Sequence, residues 1–167
     1  MAIIRVQERG QILEFSFEDM LRYAGPHSPA GVANAVQVMQ RAFAVLSPDK
    51  PPQRRSVVVR TAFQGPGARD GFEAVTRAVT DGRYTVDPSL ARPERGRLLR
   101  SFVFEIGVGG RSATLLLRDG FVTDEFIDLA GKSDRSEAEE TRLDGLKAAL
   151  ARRLLAAPAD EVYDVAE

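Results

Sequence analysis

The chain contains no cysteine and no tryptophan, a single histidine and only three lysines. Without cysteine there is no disulfide framework, no thiolate zinc site, no iron–sulfur ligation and no cysteine nucleophile. One histidine removes His-rich metal sites as well. No run approaches the roughly 18–20 apolar residues that a bilayer span needs. The opening MAIIRVQERG lacks a cationic segment followed by an apolar core. A cytoplasmic protein with no membrane association is the expectation. Aromatic residues are 7% of the chain and are not interleaved with its basic residues. A stacking platform for nucleic acid is therefore not expected either.

The 167 residues, 44% hydrophobic and 28% charged, read as one domain over 1–167 with a core of its own. The net charge of −1 hides an asymmetry: ten arginines face five acids between 54 and 100, and six basic residues face thirteen acids between 119 and 167. Such a balance neutralises within the fold, across a dimer, or against a bound anion. The twenty arginines suit a coding bias, although guanidinium forks also bind carboxylate and phosphate.

Residues 17–24 (FEDMLRYA) read as a short helix capped by Ser16 and stopped at Gly25-Pro26. Val32, Val36, Met39, Phe43 and Leu46 share one face of a longer helix over about 30–46, opened by Pro29. That stripe fits core packing, and its spacing also fits a seam between two copies. Ser47–Pro52 is a stiff loop, and Ser56–Phe63 (SVVVRTAF) a β-branched strand. A turn at 64–67 leads into a helix over 68–80. Residues 81–97 form a polar connection with a short strand near 83–86. Alternation over 98–106 predicts a strand that turns at Gly107–Gly110 and pairs with 112–118 as a hairpin. Residues 121–129 fit a strand or a helical turn equally. Ser136 with Glu139 predicts a capping box for a last helix over about 136–156. The sum is an α+β fold: an antiparallel or mixed sheet with a long N-terminal helix, a strand-turn-helix unit, a β hairpin and a C-terminal helix.

Two constellations invite chemistry. His27, the chain's one imidazole and so a candidate acid–base group, stands at the start of the long helix, where the positive helix end favours an anion and where Ser28 is a candidate cap or anion ligand. The turn Gln64-Gly65-Pro66-Gly67-Ala68-Arg69-Asp70 joins strand to helix, so its amides suit a phosphate or carboxylate, and Arg69 and Asp70 suit orienting it or pairing with neighbours. It matches neither GxxxxGK[ST] nor GxGxxG. No pair of carboxylates at a catalytic separation is identifiable, since Glu105 is the only acid in the expected core hairpin.

In their order these motifs resemble the N-terminal domain of the formylmethanofuran dehydrogenase E-subunit family. There a short helix leads to His-Gly-His-x-Cys-Pro-Gly opening a long helix, followed by a strand, a cysteine-containing turn, an Asp-bearing helix, a threonine-glycine-cysteine segment and a hairpin. Here the counterparts are Phe17–Tyr23, Gly25–Gly31, Val57–Phe63, the turn at Gly65–Gly67, Asp70 with its helix, and 98–118, so the resemblance covers about 15–130. The first family cysteine falls on Ser28 when the segment is laid on Tyr23, Gly25 and Pro29, and on Pro29 when it is laid on His27 and Gly31. The second falls on Gly67 and the third near Ala78. Every thiol is replaced, and what the resemblance implies is the frame of a degenerate metal site, with any metal and cofactor unknown. Two functions are compatible with it. One is an accessory or interaction domain, homodimeric through the 32–46 stripe. The other is a binding protein or enzyme for a small anionic metabolite, using the 25–31 and 64–70 turns, with His27 as acid–base group and Ser28, Gly65, Gly67, Arg69 and Asp70 as ligand-binding residues.

Overall fold

The computed structural model describes residues 2–167. It opens with a hairpin that sequence reasoning did not identify, β1 (Ile3–Glu8) antiparallel to β2 (Gln11–Ser16). Arg9 and Gly10 both take positive φ, 51° and 78°, as a two-residue hairpin turn requires. Helix α1 (Phe17–Ala24) follows directly, and Ser16 and Asp19 exchange the two bonds of a capping box. Gly25 then stops it.

Helix α2 (Pro29–Leu46) is the centre of the molecule, with Pro29 in its first turn as expected. It lies against the main sheet and between the two other long helices. Val32, Val36 and Met39 are fully buried inside the chain, and Phe43 and Leu46 nearly so. The stripe is therefore core and is not available as a seam between two copies.

The main sheet has five strands in the order β4-β3-β5-β6-β7. Its first unit is β3 (Val58–Thr61), α3 (Pro66–Thr76) and β4 (Tyr84–Val86), with β3 and β4 parallel. The strand is shorter than the expected 56–63. Arg54–Ser56 form a 3-10 turn before it, and the Thr61 hydroxyl accepts from the Phe63 amide after it. The helix is shorter than 68–80 because Arg77 adopts the left-handed conformation at φ 58°. Buried Glu73 then gathers the Thr80 amide and hydroxyl into a loop.

The hairpin is β5 (Val103–Val108) with β6 (Arg111–Leu117), turned at Gly109-Gly110 with both φ positive. The expected strand start at 98 is corrected to 103, because the amides of Arg100 and Phe102 bond back to Gly96 and Leu99 and fold 96–102 into turns. The ambiguous segment resolves as α4 (Asp124–Gly131), capped by Thr123. Helix α5 (Glu137–Ala156) carries the expected Ser136–Glu139 capping box. A short α6 (Ala159–Val162) then leads to β7 (Tyr163–Val165), which pairs antiparallel with β6; neither was anticipated. The architecture is α+β with a mixed sheet, and no helix among the described residues is long and apolar enough to cross a membrane.

The basic stretch pairs with its own acids and with Glu8 and Glu105 more than with the acidic C-terminal stretch. Arg54 and Arg55 pair with Glu8, Arg55 and Arg83 with Asp81, and Arg60 with Asp87 and Glu105. Among the described residues, ion pairs join the 54–100 and 119–167 stretches only where Arg97 binds Asp124 and Asp128.

Candidate functional site

Two helices start side by side. A β-carbon on Gly31, in the first turn of α2, would lie 2.7 Å from the Ala68 amide nitrogen and 2.9 Å from the Gly67 α-carbon. Only glycine allows that approach. It brings the 28–31 and 64–67 turns together, as the reading of a shared frame requires.

Neither start is capped by a side chain. Ser28, expected as a cap, makes no capping bond, Gly65 has no side chain to offer, and neither first turn holds an acid. Helices α1, α4 and α5 differ, each with a hydroxyl cap and with acids in the first turn. The positive ends of α2 and α3 are thus left unneutralised at one place.

That place is the wall of a cleft of about 570 Å³. It lies beyond the C-terminal end of β3, where open sheets with a parallel unit tend to bind ligands. Ser28, Gly31, Gly65 and Gly67 form one side. Phe63, Leu98, Phe102, Phe126 and Ile127 supply apolar walls. The Phe63 ring lies 4.9 Å from that of Phe102, tilted by 37°. Three cations line the cleft: Arg97, Arg100 and Lys147. Arg97 is held by Asp124 and Asp128, and Lys147 donates to the His27 carbonyl at 3.1 Å. Arg100 is exposed, and among the described residues its side chain has no hydrogen-bond or ion-pair partner in the structure.

The remaining expected residues lie elsewhere. The His27 side chain is exposed and outside the cleft lining. Arg69 pairs weakly with Asp70 at 3.4 Å, and both stand near the Tyr84 hydroxyl rather than in the cleft. That hydroxyl is buried without a partner among the described residues, and burial pushes its pKa up to about 12. Arg97, Arg100 and Lys147 were not singled out from sequence. The arginines fall at the junction of a polar connection and an expected strand, and the lysine on the distant α5.

The donors that a metal site like that of the formylmethanofuran dehydrogenase family would use are missing. Ser28 and Gly67 carry no thiol, Ala78 lies beyond the far end of α3, and no three His, Asp or Glu cluster among the described residues. The chain does not fit that metal.

A second cleft of about 560 Å³ lies between the N-terminal hairpin, α1 and the C-terminal half of α3. Its charged groups have structural duties. Asp19 caps α1, Arg54 donates to the carbonyls of Ala74 and Val75, and Glu73 holds the Thr80 loop.

Comparison of the chain with protein-family models and with curated proteins gives no match.

Proposed function

We propose that the chain is a binding protein for a small anionic molecule with an apolar body, taken up in the cleft between the starts of α2 and α3. The observation that carries this reading is the meeting of two uncapped helix N-termini and the unpartnered Arg100 around one apolar-walled cleft of about 570 Å³. Backbone amides at helix starts attract anions, a free guanidinium adds directional donors, and the volume suits a small molecule. Ser28 and Ser101 line the cleft, and among the described residues neither hydroxyl is hydrogen-bonded to a carboxylate or imidazole. Without an activating base in contact, the reading is of binding rather than turnover.

The resemblance to the formylmethanofuran dehydrogenase E-subunit family enters the same proposal. The residues onto which it lays the first two family cysteines, Ser28 in one register and Gly67, are neighbours at this cleft. In this reading a divergent relative keeps the pocket's frame after losing its thiols.

The chain has no tryptophan, so a Phe126→Trp variant places a single reporter on the cleft wall. A panel of carboxylates and phosphates is expected to include members that shift its emission saturably, and Arg100→Ala is expected to weaken the response tenfold or more. A folded reporter protein that responds to no anion rejects the reading.

A further inference from the structure

The cleft's charges and walls narrow the ligand class, an inference that rests on the binding reading above. Of its three lining cations, Arg97 is paired with two carboxylates, and Lys147 is tied to a backbone carbonyl that holds its ammonium in place without neutralising it. One guanidinium remains, Arg100. A planar fork with parallel N–H donors matches a carboxylate, which takes two bonds from it at once. A dianionic phosphate or a polyphosphate spreads its charge over more oxygens than one planar fork matches. It would also meet Asp124 and Asp128, which are largely exposed, with side-chain accessibilities of 74% and 66%, beside the Arg97 that lines the cleft. Like charges there disfavour a polyanion and tolerate a single charge directed at Arg100.

The walls point to the rest of the molecule. Phe63, Phe102 and Phe126 all line the cleft. Phe63 packs on Phe102 and on Phe104, at centroid separations of 4.9 and 6.0 Å, and remains partly exposed. Gly65 keeps this ring in place, since a β-carbon there would lie 2.3 Å from a Phe63 ring carbon. A ring presented in this way favours another ring in offset or edge contact over a flexible chain, which would lose rotamer freedom on binding.

We infer that the ligand is an aromatic monocarboxylate, its ring against Phe63 and its carboxylate at Arg100 and the first-turn amides of α2 and α3. The experiment is titration of uniformly 15N-labelled protein with four probes: 2-naphthoate, 2-naphthylmethanol, decanoate and inorganic phosphate. 2-Naphthoate is expected to shift the amides of Gly31, Gly65 and Gly67 saturably and to bind at least tenfold more tightly than each of the other three. Arg100→Ala is expected to weaken it tenfold or more with the remaining spectrum unchanged, because the side chain is exposed and unpartnered. If phosphate or decanoate moves those amides and binds as well as 2-naphthoate or better, the ligand class is overturned while the binding cleft stands. Equal binding of the neutral alcohol, or indifference to Arg100→Ala, overturns the carboxylate assignment. If no probe moves those amides, the cleft reading falls and this inference with it.

Discussion

A β-carbon added to Gly67 would lie 2.5 Å from the carbonyl oxygen of Ser28, so the first turns of α2 and α3 meet backbone to backbone. The obstacle is main chain, which cannot rotate away as a side-chain tip does. Gly67→Ala is expected to cost about 1–3 kcal/mol, the range for overpacking a tight interior. Urea denaturation measures it, and an unchanged midpoint would show that the helices separate freely. Gly145→Ala, in open space on α5, serves as the contrasting control and is expected to stabilise by roughly 1 kcal/mol.

Tyr84→Phe is expected to leave stability unchanged or raise it. The hydroxyl is the buried side-chain polar atom without a partner among the described residues, and deleting such a group removes a desolvation cost of about 1–3 kcal/mol. A clear loss of stability on thermal melting would count against this account.

Tyr163→Phe should behave in the opposite sense. Its buried hydroxyl donates to Asn34 Oδ1 at 2.5 Å, and the asparagine amide donates on to the Ala30 carbonyl at 2.9 Å. Removing the phenol leaves a buried acceptor unpaired, at about 1–3 kcal/mol. The two tyrosine variants, measured together under the same conditions, should shift the denaturation midpoint in different directions or by clearly different amounts.

Acid should loosen the start of α5. The Lys132 ammonium, bonded to the Glu139 carboxylate at 2.7 and 3.0 Å, and then the Ser136 amide, pull the Glu139 pKa down from 4.5 to about 2. The folded value lies below the unfolded one, so protonation favours the unfolded chain. This stabilisation is complete above about pH 4.5 and is lost as pH falls toward 2. Glu139→Gln is expected to flatten the pH dependence of the melting temperature in that window; a slope identical to the parent's would refute the assignment.

Arg54→Lys should detach the N-terminal hairpin more than it unfolds the protein. The guanidinium donates to the carbonyls of Val75 and Ala74 at 2.7 and 2.9 Å, pairs with Glu8, and lies 5.3 Å from the Phe15 ring centroid. An ammonium cannot span those acceptors at once. Hydrogen exchange in β1 and β2 is expected to accelerate about tenfold or more, with β5 and β6 little changed.

What could be read from the chain was local. Ser16 as a cap and Ser136 with Glu139 as a capping box are patterns complete within four residues, and both helices start where those residues predict. The stripe from Val32 to Leu46 showed one buried face, yet Ala33, Ala35 and Val38 on other faces are buried too, since α2 is covered on several sides. Where contacts between distant segments decide, the sequence was silent. Short, weakly patterned β7 is a strand because β6 pairs with it. The two turns that frame the cleft were recognisable from their glycines, but the direction of their neighbours was not. Arg69 stands two residues beyond Gly67, about 200° further round the helix, and so leaves the cleft that Gly67 lines. Arg100 looked like one position in an alternating strand until the 96–102 turns carried it to the cleft.

The partners of Asn34 Oδ1 and of the Gln37 amide nitrogen lie 117 to 129 residues further along the chain, at Leu154, Ala157 and Tyr163. During synthesis, at about 5–20 residues per second, α2 therefore leaves the ribosome on the order of ten seconds before the segment that covers it. In that interval the face of α2 that α5 and β7 cover is open to water, and the Asn34 carbonyl oxygen and the Gln37 amide are still hydrated. Apolar surface exposed for that long is what makes a partly made chain prone to aggregate.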